Sequence, residues 1–186
     1  MSVLDFTSQL HRYSVDEYEQ LVERGAFEDQ RVELIDGLVL DMSPRSDRHE
    51  NAVEWLVNRW LVRSLDFGRY SIRTCGSLRL ATSEPEPDIA VVDSELRRRG
   101  HPAGAHLVIE VALSSRDRDL TLKPRLYAPT VAEYWVLDLQ QDRLVVHRDP
   151  GEHGYGELTV HGRESMLRPQ RLALKPLAVG ELLDSI

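Results

Sequence analysis

The chain has 186 residues, a length that suits one domain with a sizeable core and leaves little room for two. Hydrophobic residues make up 41% and charged residues 29%, which is typical of a soluble globular protein, and no apolar run is long enough to span a membrane. The net charge of -8 argues against a large non-specific nucleic-acid surface, because backbone affinity normally comes from lysine and arginine.

The N-terminus and the cysteine content indicate the compartment and the metal chemistry. Residues 1–6 lack both a basic start and an apolar signal core, so we expect a cytoplasmic protein. Cys75 is the single cysteine, which excludes an internal disulfide and a cysteine-based zinc cluster. We interpret Cys75 as a small buried residue.

Two elements are predicted near the N-terminus. Ser14 and Glu17 match a capping box and predict a short helix to about Arg24. The Asp36-Gly37 dipeptide predicts a tight turn that joins apolar strands at 32–35 and 38–40.

The main helix is predicted next. Apolar residues recur at helical spacing from Asp47 to about Leu65, and Asp47 with Glu50 matches a capping pattern. Short strands are expected around 70–73 and 77–80.

The second half of the chain alternates strands and short helices. Strands are predicted at 88–92, 106–111, 133–139, 143–148 and 157–161, and helices at 121–128 and 179–183. We therefore predict an α+β fold with a mixed sheet, formed by a single domain over residues 1–186.

Two carboxylates stand at matching ends of predicted strands. If residues 88–92 and 107–111 pair as a hairpin, Asp88 and Glu110 meet at one edge of the sheet, with Lys123 nearby. A carboxylate in an apolar strand is costly unless it is paired or binds a cation. Magnesium or manganese would suit both acids, would polarise a phosphoryl oxygen and would lower the pKa of bound water, while Lys123 positions that water. The alternative is that Asp88 and Glu110 form structural ion pairs with arginines.

Two basic groups could form a local nucleic-acid groove. For Arg97, Arg98 and Arg99 we favour a solvated surface. A second group flanks the proposed site, where a groove and a solvated surface are equally compatible with the sequence: Arg116, Arg118, Lys123 and Arg125.

Several motifs, taken in order, resemble a known family. They are Glu33-Leu34-Ile35-Asp36-Gly37, His49 after Ser43-Pro44, Pro87-Asp88-Ile89-Ala90-Val91-Val92, Leu107-Val108-Ile109-Glu110-Val111-Ala112-Leu113-Ser114, Lys123 through Tyr127, and Val131 through Asp138. The set resembles the PD-(D/E)xK nuclease superfamily and, more closely, the Uma-two family of restriction endonuclease-like proteins. The resemblance covers about residues 12–185. It implies a restriction-endonuclease-like core, a central mixed β-sheet flanked by helices with N-terminal and C-terminal β-hairpins, and metal ligation by Asp88 and Glu110.

The chain departs from the superfamily pattern at two positions. The usual lysine would stand two residues after Glu110, where this chain has Ala112. In the Uma-two pattern the lysine lies on the following helix, which is Lys123 here. Pro124 is tolerated only in the first turn of a helix, so we expect that helix to begin near 121–122 and the direction of Lys123 to be affected.

Three further residues are candidates for supporting roles. Glu33 could face the metal or pair with an arginine, and His49 could contact a phosphate or water or simply occupy a helix start. Tyr127 lies four residues after Lys123 on one helix face and could border the site or pack in the core.

The leading hypothesis is a magnesium- or manganese-dependent endonuclease-like hydrolase of phosphodiesters, with DNA as the substrate. The alternative is a catalytically inactive nuclease-fold module for binding or assembly, and a third option is a hydrolase of other substrates. Exposed strand edges in a small domain favour a homodimer or a higher homo-oligomer.

Overall fold

The computed structural model describes residues 10–98 and 100–186, apart from the side chains of Arg97 and Arg98. The predicted arginine surface at 97–99 and residues 1–6, where we expect no signal core, therefore lie outside the described side chains. The helices are α1 Val15–Glu23, α2 Asp47–Trp55, α3 Lys123–Tyr127 and α4 Val179–Asp184. The strands are β1 Val32–Ile35, β2 Leu38–Asp41, β3 Tyr70–Thr74, β4 Ile89–Asp93, β5 Leu107–Ala112, β6 Tyr134–Asp138, β7 Arg143–Gly151, β8 Gly154–His161, β9 Met166–Leu167 and β10 Leu177–Ala178.

A six-stranded mixed sheet forms the centre of the protein, in the order β3-β4-β5-β6-β7-β8. Neighbouring strands are antiparallel except for β5 and β6, which are parallel and are joined by a crossover that contains α3. The pairs β1–β2 and β9–β10 form two small antiparallel sheets. The predicted α+β class and central mixed sheet are confirmed.

Both faces of the sheet are covered, which explains the nearly continuous apolar sequences of β4 and β5. One face packs against α2 and α4, where Trp60 stacks on the fully buried Trp135 with ring centroids 5.7 Å apart. The other face packs against α3 through Tyr127. Strand alternation places Glu110 on this second face, between Val108 and Ala112.

The N-terminal elements form as predicted. Ser14 and Glu17 make both hydrogen bonds of a capping box at the start of α1. The β1–β2 hairpin turns at Asp36 and Gly37, whose φ angles of 46° and 77° are those of a tight two-residue turn.

The main helix begins at Asp47 as predicted, but its cap and its end differ from the prediction. Its N-cap is Ser46, not Asp47, because the Ser46 hydroxyl accepts a hydrogen bond from the backbone N–H of His49 at 3.3 Å. After α2 the chain continues in a π-helical segment, Leu56–Leu61, so the regular helix stops before Leu65.

Two local predictions are wrong. Residues 77–80 are not a strand; their backbone N–H groups bond to loop carbonyls, as in Leu78 to Pro85 at 3.0 Å and Arg79 to Pro102 at 2.8 Å. Cys75 is exposed rather than buried, because it follows β3 in a bend with a φ of 52°.

The helix that carries Lys123 starts earlier than expected. A π-helical segment, Arg118–Leu122, precedes α3, and the backbone N–H of Lys123 bonds to the Arg118 carbonyl. The wider π spacing places Pro124 at the start of the following α-helical turn. Proline has no backbone N–H, and the first turn of an α-helix does not need one for its internal hydrogen bonds. Among the described residues, no helix combines the length and apolar character that crossing a membrane requires.

Burial of His147 predicts a pH dependence of stability. Its ring lies against Tyr134, with centroids 5.4 Å apart, and burial lowers the pKa of His147 to about 4. The pKa of a histidine in the unfolded chain is near 6.5, so the unfolded chain takes up a proton at a higher pH than the folded protein does. The free energy of unfolding therefore falls as the pH is lowered from about 6.5 towards 4. We expect the free energy of unfolding to fall between pH 7 and pH 5 by about 2 kcal/mol more in the parent protein than in His147→Phe. Urea denaturation at both pH values measures the difference, and equal losses would contradict it.

Candidate functional site

Asp88 and Glu110 meet where β4 begins and β5 ends. In the β4–β5 register Ile89 faces Ile109, so the two acids lie one residue beyond a paired position. The backbone N–H of Asp88 donates to Glu110 Oε2 at 3.3 Å, and the backbone N–H of Val111 donates to Asp88 Oδ2 at 2.8 Å. The structure therefore brings together the two carboxylates that the strand pattern predicts to be neighbours.

Lys123 lies in the same place, buried among three carboxylates. Its Nζ is 2.8 Å from Glu110 Oε1, 3.3 Å from Asp119 Oδ1 and 3.5 Å from Glu33 Oε2. All four residues are buried. We call Glu33, Glu110, Asp119 and Lys123 the acid–lysine cluster.

The electrostatics of this cluster follow from three acids sharing one ammonium group. Burial opposes the charged amine, but Glu110, Asp119 and Glu33 outweigh it and raise the pKa of Lys123, so the amine stays charged. Burial raises the pKa of Glu110 well above its usual value, and the negative charges of Asp119 and Asp88 add to this effect. The cluster therefore has excess negative charge, which a proton or a metal cation can neutralise.

His49 holds the second carboxylate. Its Nε2 lies 3.0 Å from Asp88 Oδ2, and the Ser46 cap at the start of α2 fixes the backbone that carries the ring. Burial opposes ionisation of Asp88, but His49, the Val111 N–H and Lys123 outweigh it and lower the pKa of Asp88. Asp88 is therefore the ionised acid of the Asp88–Glu110 pair.

Tyr127 contacts the site rather than only packing in the core. Its hydroxyl donates to Glu110 Oε1 at 3.0 Å, the same oxygen that receives the Lys123 ammonium. The i, i+4 spacing of Lys123 and Tyr127 on α3 aims both donors at Glu110. Glu110 is thus fixed from the helix side by both donors.

The predicted basic group splits into different roles. Arg118 lies 3.4 Å from Glu33 Oε1 and donates to the Asp41 carbonyl at 3.2 Å, so the arginine partner expected for Glu33 is present. Arg116 instead pairs with the fully buried Asp138 at 3.0 Å, and Arg125 is exposed.

Sequence reasoning missed part of the site. Asp119 stands four residues before Lys123, an i, i+4 spacing that could have revealed it. Arg45, 3.8 Å from Asp88 Oδ1, and Glu86, 3.4 Å from Arg45, come from loops without a diagnostic pattern.

A cavity of about 50 Å³ opens beside these side chains. One water molecule needs roughly 10–15 Å³ of cavity volume, so this cavity has room for an ion with a few waters but not for a nucleotide. A larger cavity of about 710 Å³ lies between α2 and β10, away from these acids.

The donor set fits a hard divalent cation. Carboxylate oxygens are the ligands that magnesium and manganese prefer. Glu33 Oε2 and Asp119 Oδ1 are buried and make no hydrogen bond of good geometry with a described residue, although the Lys123 ammonium lies 3.5 Å and 3.3 Å from them. At this site no three described acids or histidines each bring a ligand atom within 4.8 Å of the others. The site therefore offers two carboxylates plus water rather than a closed protein cage, as is common for magnesium.

Comparisons with known proteins agree with the fold and the motifs. The model of the Uma2 family, described as "Putative restriction endonuclease", matches residues 15–179. A crystal structure of "a putative nuclease belonging to DUF820" from Anabaena variabilis superposes with a TM-score of 0.69 at 16% sequence identity, covering 92% of this chain and 97% of that chain. At this identity the likeness shows a shared fold. The comparison with curated proteins gave no match.

Removing the buried ammonium should destabilise the protein. We expect Lys123→Met to lower the free energy of unfolding by about 3–5 kcal/mol, because it leaves buried carboxylates without their cation. Arg125→Met, two residues along α3 and exposed, is the matched control and should change stability by less than about 0.5 kcal/mol. Urea denaturation measures both, and similar values for the two variants would show that Lys123 does not neutralise the cluster.

Proposed function

Because the chain belongs to the Uma2 family of restriction endonuclease-like proteins, we propose that it is a magnesium- or manganese-dependent endonuclease that hydrolyses phosphodiester bonds in DNA. The family and the nuclease-like fold support a nuclease-like function; the proposal adds the metal, the substrate and the residues. The observation that carries it is the convergence of Asp88, Glu110 and Lys123 at one edge of the sheet.

Asp88 and Glu110 would hold the metal. When bound, the ion would act as a Lewis acid on a phosphoryl oxygen and would lower the pKa of a bound water. His49 fixes Asp88 through Oδ2, while Tyr127 and Lys123 fix Glu110 through Oε1. Both acids are thereby oriented before a metal or substrate arrives, which reduces the reorganisation needed for catalysis.

Lys123 would act on the attacking water and on developing charge. In hydrolysis the water oxygen forms a bond to phosphorus, one P–O ester bond breaks, and the leaving alkoxide takes up a proton. A charged ammonium next to Glu110 can orient the water and stabilise negative charge on the phosphoryl oxygens. Because Lys123 stays protonated, it serves as an electrostatic group and not as the general base.

The substrate would approach the mouth of the cavity from outside. Polar and cationic side chains line this cavity beyond the acids, including Ser43, Arg45, Ser114, Ser115 and Arg118. Arg45 and Arg118 can contact the phosphates that flank the scissile bond. Such a local basic rim reconciles DNA binding with the net charge of -8, since affinity would come from a few contacts.

Nuclease assays with purified protein test the proposal. We expect cleavage of DNA in magnesium or manganese, and a fall in rate of at least about 100-fold in Asp88→Asn, Glu110→Gln and Lys123→Met. The first two variants remove a proposed metal ligand, and the third removes the ammonium that would stabilise developing negative charge. Asp117→Asn, in a fully exposed acid close in sequence, is the matched control and should cut at the parent rate.

Folding of each variant is checked by its unfolding curve before rates are compared. Equal cutting by the parent and by folded Asp88→Asn and Glu110→Gln would assign the activity to a contaminant and reject the proposal. Cleavage of RNA but not DNA would keep the chemistry and change the substrate.

The alternative function is a non-cleaving module for binding or assembly. The observation in its favour is that Glu110, Glu33 and Asp119 already surround the Lys123 ammonium. It predicts that magnesium and manganese leave the melting temperature unchanged and that no nucleic acid is cut, while self-association persists. Melting curves with and without metal, together with analytical ultracentrifugation, separate the two functions.

A further inference from the structure

A second group of ligand-bearing side chains lies outside the proposed catalytic site. It consists of Glu19 on α1, Glu84 before β4 and His101 in the loop before β5. One ligand atom from each residue lies within 4.8 Å of the other two. Three separate parts of the chain thus converge on a space that a single ion could occupy.

Glu84 supplies an independent observation. Its side chain is only 4% exposed, and no described residue donates a hydrogen bond to its Oε2. The other oxygen, Oε1, lies 2.7 Å from His101 Nδ1. A buried carboxylate oxygen without a donor is costly, so its presence indicates a missing partner.

The neighbouring charges indicate that this partner is a cation. Burial raises the pKa of Glu84, and contact with the Glu19 carboxylate raises it further, although His101 opposes the shift. The carboxylates of Glu19 and Glu84 have oxygens within 4.8 Å of each other, and a shared proton or a shared cation relieves the repulsion between them. Arg79 contacts Glu19 but not Glu84, so it does not fill this role.

We propose that Glu19, Glu84 and His101 form a structural site for a zinc-like divalent cation, independent of the proposed catalytic metal. Two carboxylate oxygens and one imidazole nitrogen suit zinc, and water can complete a four-coordinate shell. The ligand set with nitrogen contrasts with the carboxylates at Asp88 and Glu110, which suit magnesium or manganese. The two sites therefore differ in the donors that they offer to a metal.

The ion would connect α1 to the two segments that lead into β4 and β5. Glu84 also pairs with β1, since its backbone N–H donates to the Leu34 carbonyl at 2.7 Å. Leu34 is next to Glu33 of the acid–lysine cluster. A cation here would hold the hairpin and both strand entries in place, and this role is structural rather than catalytic.

Zinc titration of the metal-stripped, full-length protein tests the site. We expect one equivalent to bind and to raise the melting temperature by about 5–10 °C at zinc concentrations about 100-fold above the dissociation constant. Manganese should bind more weakly than zinc, and magnesium more weakly still. Cobalt substitution should give a visible absorption spectrum that His101→Ala removes.

Matched variants separate this site from the catalytic one. Glu84→Gln and His101→Ala should lose the zinc-induced shift, whereas Asp88→Asn and the exposed α1 variant Glu23→Gln should keep it. Without metal, Glu84→Gln should be at least as stable as the parent, because it removes repulsion with Glu19.

Two results would overturn the proposal. One is zinc binding that survives in both Glu84→Gln and His101→Ala, or is lost only in Asp88→Asn, since the ion would then lie elsewhere. The other is a parent protein without saturable zinc binding, which would leave a shared proton as the partner of Glu84. Neither result affects the nuclease assay.

Discussion

The Lys123 ammonium is the interaction on which the arrangement of this protein depends. It connects Glu33 of β1, Glu110 of β5 and Asp119 of the π-helical segment, and so joins the hairpin, the central sheet and the crossover helix at one point. Without that cation, the three buried carboxylates would cost several kcal/mol, which is a large fraction of the stability of a fold of this size. The charge that stabilises the fold is therefore also placed where the proposed chemistry would need it.

Lys123 and Arg118 supply two positive charges for the three acids, and this imbalance leaves the site with excess negative charge. The structure lowers the pKa of Asp88 through His49 and raises that of Glu110 through burial, so the two neighbouring carboxylates differ in their affinity for a proton. A divalent cation would replace that proton and restore charge balance. If the proposed metal binds, the stability of the fold and metal binding would thus be linked through Glu110.

The sequence was sufficient to predict the elements whose signals are local. The Asp36-Gly37 turn and the apolar runs of β4 and β5 depend on neighbouring residues, and the meeting of Asp88 and Glu110 follows from pairing those two strands. Residues 77–80 have a strand-like sequence, but loop carbonyls around Pro85 and Pro102 take their hydrogen bonds. Such contacts between distant loops have no local signal, and Arg45 was missed for the same reason.

The position of the lysine on a helix, instead of two residues after Glu110, has a physical explanation in this chain. Ala112 is fully buried on the α3 face and faces Asp138 of the parallel neighbour β6, so the strand position has no space for a lysine. Placed on the crossover, Lys123 reaches Glu110 from α3 and gains Asp119 one turn earlier. The π spacing is what makes this compatible with Pro124, because the following turn can begin at a residue without an N–H. The π-helical segment that carries Asp119 therefore also accommodates Pro124, and Lys123 still contacts Glu110.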